Sequence, residues 1–163
     1  MLLKIGFGGG CHWCTEAVFQ SLIGVHQVDQ GWISSTSPFT DFSEAVVVHY
    51  NPQKISLHDL IEIHLHTHSS TSNHSHRKKY RSAVYYIFPE HKDQAKASIE
   101  QLQDDFEEPI ITRVLEFNNF KRNSTEFCNY YLNRKNTPFC RQYIHPKLEL
   151  LRKKYSKLNK RDF

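Results

Sequence analysis

The stretch "LKIGFGGGCHWCTEAVFQSLIGV", residues 3–25, decides how the chain begins to fold. Residues 2–9 read as a strand that ends in a glycine run. "CTEAVFQSL" then places Ala17, Val18 and Leu22 at helical spacing. Gly24 stands where a helix stop belongs. Working outward, "VHQVDQGWI" reads as a second strand and "SSTSPFTDFS" as a polar loop. "EAVVVHY" is a β-branched run, the pattern of a buried strand. "NPQ" turns the chain, and Ser56 is the expected N-cap of a helix over "LHDLIEIHLH". "THSSTSNHSHRKKY" is polar without apolar periodicity, hence a loop, and "RSAVYYIF" is a strand. "PEHKDQAKASIEQLQDDF" opens on proline and spaces Ala95, Ile99 and Leu102 as a helix does. "PIITRVLEF" alternates as a strand. "STEFCNYYLNRK" predicts a short helix capped by Ser124 or Thr125. "PKLELLRKKYSKL" predicts a closing helix with Leu148, Leu151 and Tyr155 on one face.

The order strand–helix–strand–strand–helix–strand predicts an α+β fold, a ferredoxin-like split βαβ two-layer sandwich with additional C-terminal helices. With no internal repeat and no low-complexity linker, residues 1–163 are expected to form one domain, with 145–163 a basic C-terminal helical tail.

The composition, 39% hydrophobic and 23% charged, is that of a chain able to build a core. The net charge of +4 is concentrated in "RKKYSKLNKRDF", which reads as a solvated helix face rather than a nucleic-acid surface. The apolar run at the N-terminus is too short for a signal peptide, and no run reaches the roughly 20 residues of a membrane span. The expectation is therefore a cytoplasmic protein, with no nucleic-acid or membrane partner and acting as a monomer. In that compartment its four cysteines read as reactive, reduced or metal-bound rather than as a disulfide framework.

Cys11 and Cys14 carry the chemistry. A cysteine that follows a strand and a glycine turn sits at the first turn of a helix. There its sulfur faces unpaired N–H groups and the positive end of the dipole, which favour the thiolate. Gly8 to Gly10 permit a tight turn and a close approach of substrate to the backbone. Cys14, one turn on, is placed to capture an oxidised Cys11. Three readings compete on the residues alone: a redox dithiol, half of a zinc site, or packing. Cys128 and Cys140 lack a second C-x-x-C spacing, which weakens the zinc reading. A separate metal reading attaches to "HLHTHSSTSNHSH". His64 and His68 stand i, i+4 on a helix, with His74 and His76 close by in sequence.

Several segments together resemble the peptide methionine sulfoxide reductase A family. "GGGCHWCTEAVFQSLIGV" is similar to its G-C-F-W signature, and "GW" at 31–32 to a family "GY". "SEAVVVHYNPQKIS", "HSHRKKYRSAVYY", "YYLNRKNTPFC" and "IHPKLELLRKKY" resemble later family segments in the same order, across most of the chain. The resemblance implies thiol-dependent reduction of methionine-S-sulfoxide, free or in proteins, with no metal or organic cofactor. In that scheme Cys11 attacks the sulfoxide sulfur, while Glu44 protonates the oxygen and Tyr80 hydrogen-bonds it. Trp13 and His12, with Trp32, hold the substrate. Cys11 becomes a sulfenic acid, which Cys140 (the family's C-terminal position) or Cys14 (the neighbour by spacing) resolves. A thioredoxin-like protein would reduce the disulfide. The sequence departs from the family at His12, where an aromatic is usual, and at Ser75, where an aspartate is usual. It also has a shortened loop between Trp32 and Glu44, and Cys128 in place of a histidine. A non-catalytic peptide- or metal-binding relative and a thiol–disulfide exchanger are the alternatives.

Overall fold

The computed structural model describes residues 1–163. Its first half runs β1 (Leu3–Gly8), α1 (His12–Gln20), β2 (Val25–Ser34), β3 (Ser43–Tyr50), α2 (Leu57–Thr67) and β4 (Ala83–Tyr86). These four strands lie in the order β4-β1-β3-β2, every neighbouring pair antiparallel, which is the expected split βαβ sheet. After α3 (Glu90–Leu102), two short strands extend the edges. β5 (Arg113–Glu116) adds parallel to β4, and β6 (Asn119–Arg122) adds antiparallel to β2. β6 has no counterpart in the sequence reading. "NFKR" lacks an apolar alternation because, as an edge strand, it buries little.

β3 is buried at nearly every position because both its faces are covered. Val46, Val48 and Tyr50 join the large cluster beneath the helices, with Phe7, Phe19, Leu60 and Ile61. Ala45 and Val47 point the other way, into a smaller cluster with Ile33, Ala83 and Tyr85. α2 is buried almost all round, since α3 packs over it. Each fully buried leucine or isoleucine there contributes about 1.5–3 kcal/mol. Its N-cap is as expected: Ser56 Oγ accepts from the Asp59 N–H at 3.0 Å.

The C-terminal third departs from the sequence reading. The helix expected from Ser124 or Thr125 shrinks to α4 (Tyr130–Asn133). Neither residue caps it. Asn129 precedes it in the left-handed region, φ 56°, and the buried Glu16 carboxylate accepts from the Asn129 and Tyr130 N–H groups at 2.9 and 3.1 Å. The closing helix, α5 (His145–Lys154), is preceded by a π-helical turn from Cys140 to Ile144. It stops before Tyr155 because the Asn159 amide donates to the carbonyls of Leu151 and Tyr155, taking over its last turn. The basic tail is also not simply solvated. Lys160 Nζ donates to the carbonyls of Gln20 and Val25, where α1 ends, a favourable place for a cation.

Candidate functional site

Cys11 is the N-cap of α1, with φ −58° and ψ 130°. It is partly exposed in a cavity of about 400 Å³ that also takes in Cys14, His64, His68, Tyr80 and Lys147. Its pKa is held below that of an ordinary thiol. The Cys14 thiol, which hydrogen-bonds to it, contributes most; the N–H groups of Trp13 and Cys14 add to the effect against the opposing influence of burial and of Glu44. The same bond pushes Cys14 far upward, so the pair divides into one readily ionised sulfur and one that keeps its proton. All four cysteines are free thiols. Cys140 is fully buried and bears on the electrostatics of Cys14.

Gly9 has φ +149°, and a Cβ there would stand 2.5 Å from the His68 ring, so the turn admits an imidazole of the protein itself. Gly10, beside it on the cavity wall, has nothing within 4 Å of its Cβ position.

Glu44, the second residue of β3, is 4% exposed; it does not line this cavity, but its charge acts on Cys11. Its Oε1 accepts from the His12 N–H at 3.2 Å, and Oε2 stands 3.4 Å from Lys79 Nζ. Trp32 faces Glu44 across the β2–β3 pairing. His12, read as part of a substrate wall, is 5% exposed and hydrogen-bonded within the protein. Its Nδ1 lies 3.2 Å from the Gly31 carbonyl and 3.3 Å from Glu44 Oε1, and its Nε2 accepts from the Asn123 amide at 3.1 Å. Its ring meets Trp32 edge-on, with centroids 5.4 Å apart. Burial, chiefly, lowers its pKa. Trp13 does not line the cavity. It stacks on Tyr130 at 4.0 Å, nearly parallel, with Phe139 edge-on at 5.2 Å. The structure therefore brings Cys11, Cys14 and Tyr80 to one cavity, groups Glu44, His12 and Trp32 beside it, and sets Cys140 and Trp13 behind.

The i, i+4 histidines are hydrogen-bonded into the fold. His64 Nε2 donates to the Gly8 carbonyl at 2.8 Å, His68 Nδ1 donates to the His64 carbonyl, and His68 Nε2 accepts from Ser82 Oγ at 2.8 Å. No three His, Cys, Asp or Glu side chains converge as a metal site. Both rings are kept neutral, burial pushing His68 down to about 3 and His64 well below the ordinary value. In the unfolded chain both would protonate near pH 6.5. Below that pH the unfolded state binds more protons, so stability falls as pH drops from about 6.5 toward 3. Chemical denaturation is expected to show a loss of about 2 kcal/mol per histidine, about 4 kcal/mol for the two, between pH 7 and pH 5. His68→Gln should flatten that dependence, and an unchanged slope would contradict it.

Sequence reasoning missed Lys147. Its amine donates to the Thr67 carbonyl at the end of α2, and its charge acts on Cys14 and Cys11 from within the cavity. Placement four residues before the buried Leu151 was the available signal. It also missed Arg77, whose guanidinium donates to the carbonyls of Gly9 and Tyr80 at 2.8 and 2.9 Å and so fixes the loop carrying Tyr80 against the turn before Cys11. No helix is long and apolar enough to cross a membrane.

The family model described as peptide methionine sulfoxide reductase matches residues 3–160. "Peptide methionine sulfoxide reductase MsrA" of Deinococcus radiodurans is 36% identical, over 91% of this chain and 80% of that protein. Among solved structures, Mxr1 from Saccharomyces cerevisiae in reduced form superposes with a TM-score of 0.74 at 20% identity, covering 87% of this chain and 91% of that one. The structure of Mxr1 in complex with Trx2 superposes with a TM-score of 0.60 at 21% identity, over 79% of this chain and 84% of that one. The match along almost the whole length, together with the fold, shows that the chain belongs to the peptide methionine sulfoxide reductase family.

Proposed function

We propose that this protein reduces methionine-S-sulfoxide, free or within proteins, to methionine, as a peptide-methionine (S)-S-oxide reductase recycled by a thioredoxin-like protein. The observation that carries this reading is the asymmetric thiol pair: Cys11 with lowered pKa at the start of α1, hydrogen-bonded by Cys14, in a cavity shared with Tyr80.

The Cys11 thiolate attacks the sulfoxide sulfur. Glu44 supplies a proton to the departing oxygen, and the Tyr80 hydroxyl hydrogen-bonds that oxygen as charge builds on it. The hydroxyl then passes from the methionine sulfur to Cys11 Sγ as the bond between the two sulfurs breaks; methionine leaves with the electron pair on its sulfur, and Cys11 is left as a sulfenic acid. Cys14 then attacks Cys11 Sγ. The S–O bond breaks, the Cys14 proton leaves with the hydroxide as water, and a Cys11–Cys14 disulfide remains. A dithiol partner reduces it, and Cys140, adjoining Cys14, can carry the disulfide onward to that partner. Trp32 and His12 shape the Glu44 side of the site. Trp13, stacked on Tyr130, fixes the aromatic wall behind Cys11. Four free thiols suit a reducing compartment, and we place the protein in the cytoplasm, acting as a monomer through one domain.

Mass-spectrometric disulfide mapping after one equivalent of methionine sulfoxide tests the reading. One equivalent of methionine and a Cys11–Cys14 bridge are expected. Wild-type protein inert towards both free and peptidyl sulfoxide would defeat it.

A further inference from the structure

Beyond the loop that carries Tyr80 lies a second cavity, of about 650 Å³, with a different chemistry. Arg77, Lys78, Arg81 and Arg113 line it, and Asp41 is its one acidic residue. Asp41 is already opposed by Lys78, Oδ2 to Nζ 3.4 Å. Arg77 spends its donors on backbone carbonyls. Arg81 and Arg113 have no carboxylate partner at all.

Arg81 is the telling residue, because it is only 8% exposed. A guanidinium taken that far out of water is normally compensated by a counter-charge. Here two of its donors meet neutral oxygens, the Tyr85 hydroxyl at 3.2 Å and the Asp41 carbonyl at 2.7 Å. Its charge is left uncompensated at the cavity wall. Arg113 doubles it, since both guanidinium carbons stand over the Phe39 ring, at 5.5 and 4.9 Å from its centroid. Two like charges gathered on one aromatic ring repel each other until an anion lies between them. A planar fork of N–H donors recognises an oxyanion, either a carboxylate or a phosphate, through paired hydrogen bonds.

Position decides where that oxyanion comes from. The cavity shares its wall with the thiol site: Tyr80 faces one side and Arg81, the next residue, the other. The Arg81 N–H donates to Ser43 Oγ at 2.7 Å, immediately before Glu44. An extended peptide advances about 3.3 Å per residue, so a side chain one to four residues from the reacting methionine spans this wall. We infer that Arg81 and Arg113 form a subsite for an acidic side chain, carboxylate or phosphorylated, flanking methionine sulfoxide in a protein substrate. The inference rests on the reductase reading of the neighbouring thiols and adds a substrate class to it.

The test uses labelled peptides in which methionine sulfoxide is flanked, at one to four positions on either side, by Glu, phosphoserine, Gln or Lys. Both Kd, by fluorescence anisotropy, and kcat/KM are measured at low salt. At the best position, Glu and phosphoserine peptides should exceed their Gln counterpart by at least about fivefold in both quantities, and added salt should shrink the difference. Arg113→Glu, at an exposed strand position, should reverse the order in favour of Lys; this variant is chosen because Arg81 is buried and its replacement risks the fold. Equal Kd for Glu and Gln peptides at every position overturns the inference, and so does an acidic preference that survives Arg113→Glu. A Glu preference in Kd with no turnover of any sulfoxide supports the subsite and sinks the reductase reading instead.

Discussion

Cys11→Ser is expected to abolish methionine sulfoxide turnover, by at least about three orders of magnitude, while leaving the protein folded. The chemical reason is that a serine hydroxyl does not ionise near neutrality, whereas the hydrogen-bond donors around Cys11 hold negative charge on its sulfur against the opposing effects of burial and Glu44. The Cys14 thiol and two α1 N–H groups point at that atom. The structural reason is that serine is among the best N-cap residues, so the substitution keeps the start of α1 intact or firms it. Loss of activity at an unchanged or raised Tm therefore isolates the nucleophile. The same asymmetry appears in wild type as alkylation of Cys11 with a midpoint below that of an ordinary thiol, Cys14 remaining protected over the same range. A Cys11→Ser protein that still turns over would remove the foundation of the mechanism.

The next largest effect belongs to Cys14→Ser, which should separate the two half-reactions. The first methionine is released as in wild type, because the attack needs only Cys11. Removing the Cys14 thiol also removes the strongest influence lowering the Cys11 pKa, although the serine hydroxyl restores a donor in its place. Resolution then fails. Cys14 is held beside Cys11 by one helical turn, and such an intramolecular thiol acts at an effective concentration no solution thiol reaches. Steady-state rate should fall by at least about a hundredfold after a burst of one equivalent, with the sulfenic acid trapped by dimedone. Cys140 is fully buried at the π-helical turn, so it does not substitute freely for Cys14. Cys140→Ser should still form the first disulfide. Wild-type steady-state turnover in Cys14→Ser would assign resolution to Cys140 and overturn the order of the two thiols.

The first half of the chain was legible for reasons of local chemistry. β1, α1, β3 and α2 announce themselves because their apolar periodicities and the Ser56 cap act over a few residues. The expected Gly24 stop is not where α1 ends: the helix finishes at Gln20 with Ser21 as its C-cap, and Gly24, with a positive φ of 91°, turns the chain into β2. The C-terminal third was harder to read because its elements borrow their caps from far away. α4 is set by Glu16, more than a hundred residues earlier, and α5 is ended by Asn159 folding back. No window of neighbouring residues contains those partners.

The candidate site divides along the same line. That Cys11 and Cys14 form a dithiol at a helix start follows from spacing and from the field of the first helical turn, both properties of the segment itself. The destination of each histidine was decided elsewhere. His64 and His68 stand at a metal-like spacing, yet the carbonyls of Gly8 and His64 and the Ser82 hydroxyl claim three of their four nitrogens. His12 stands in the signature, yet Gly31, Glu44 and Asn123 surround it. A sequence specifies which groups can donate, accept or ionise. Which partner each one meets, and so which charge it carries, is fixed only when strands distant in the chain close around it and exclude water.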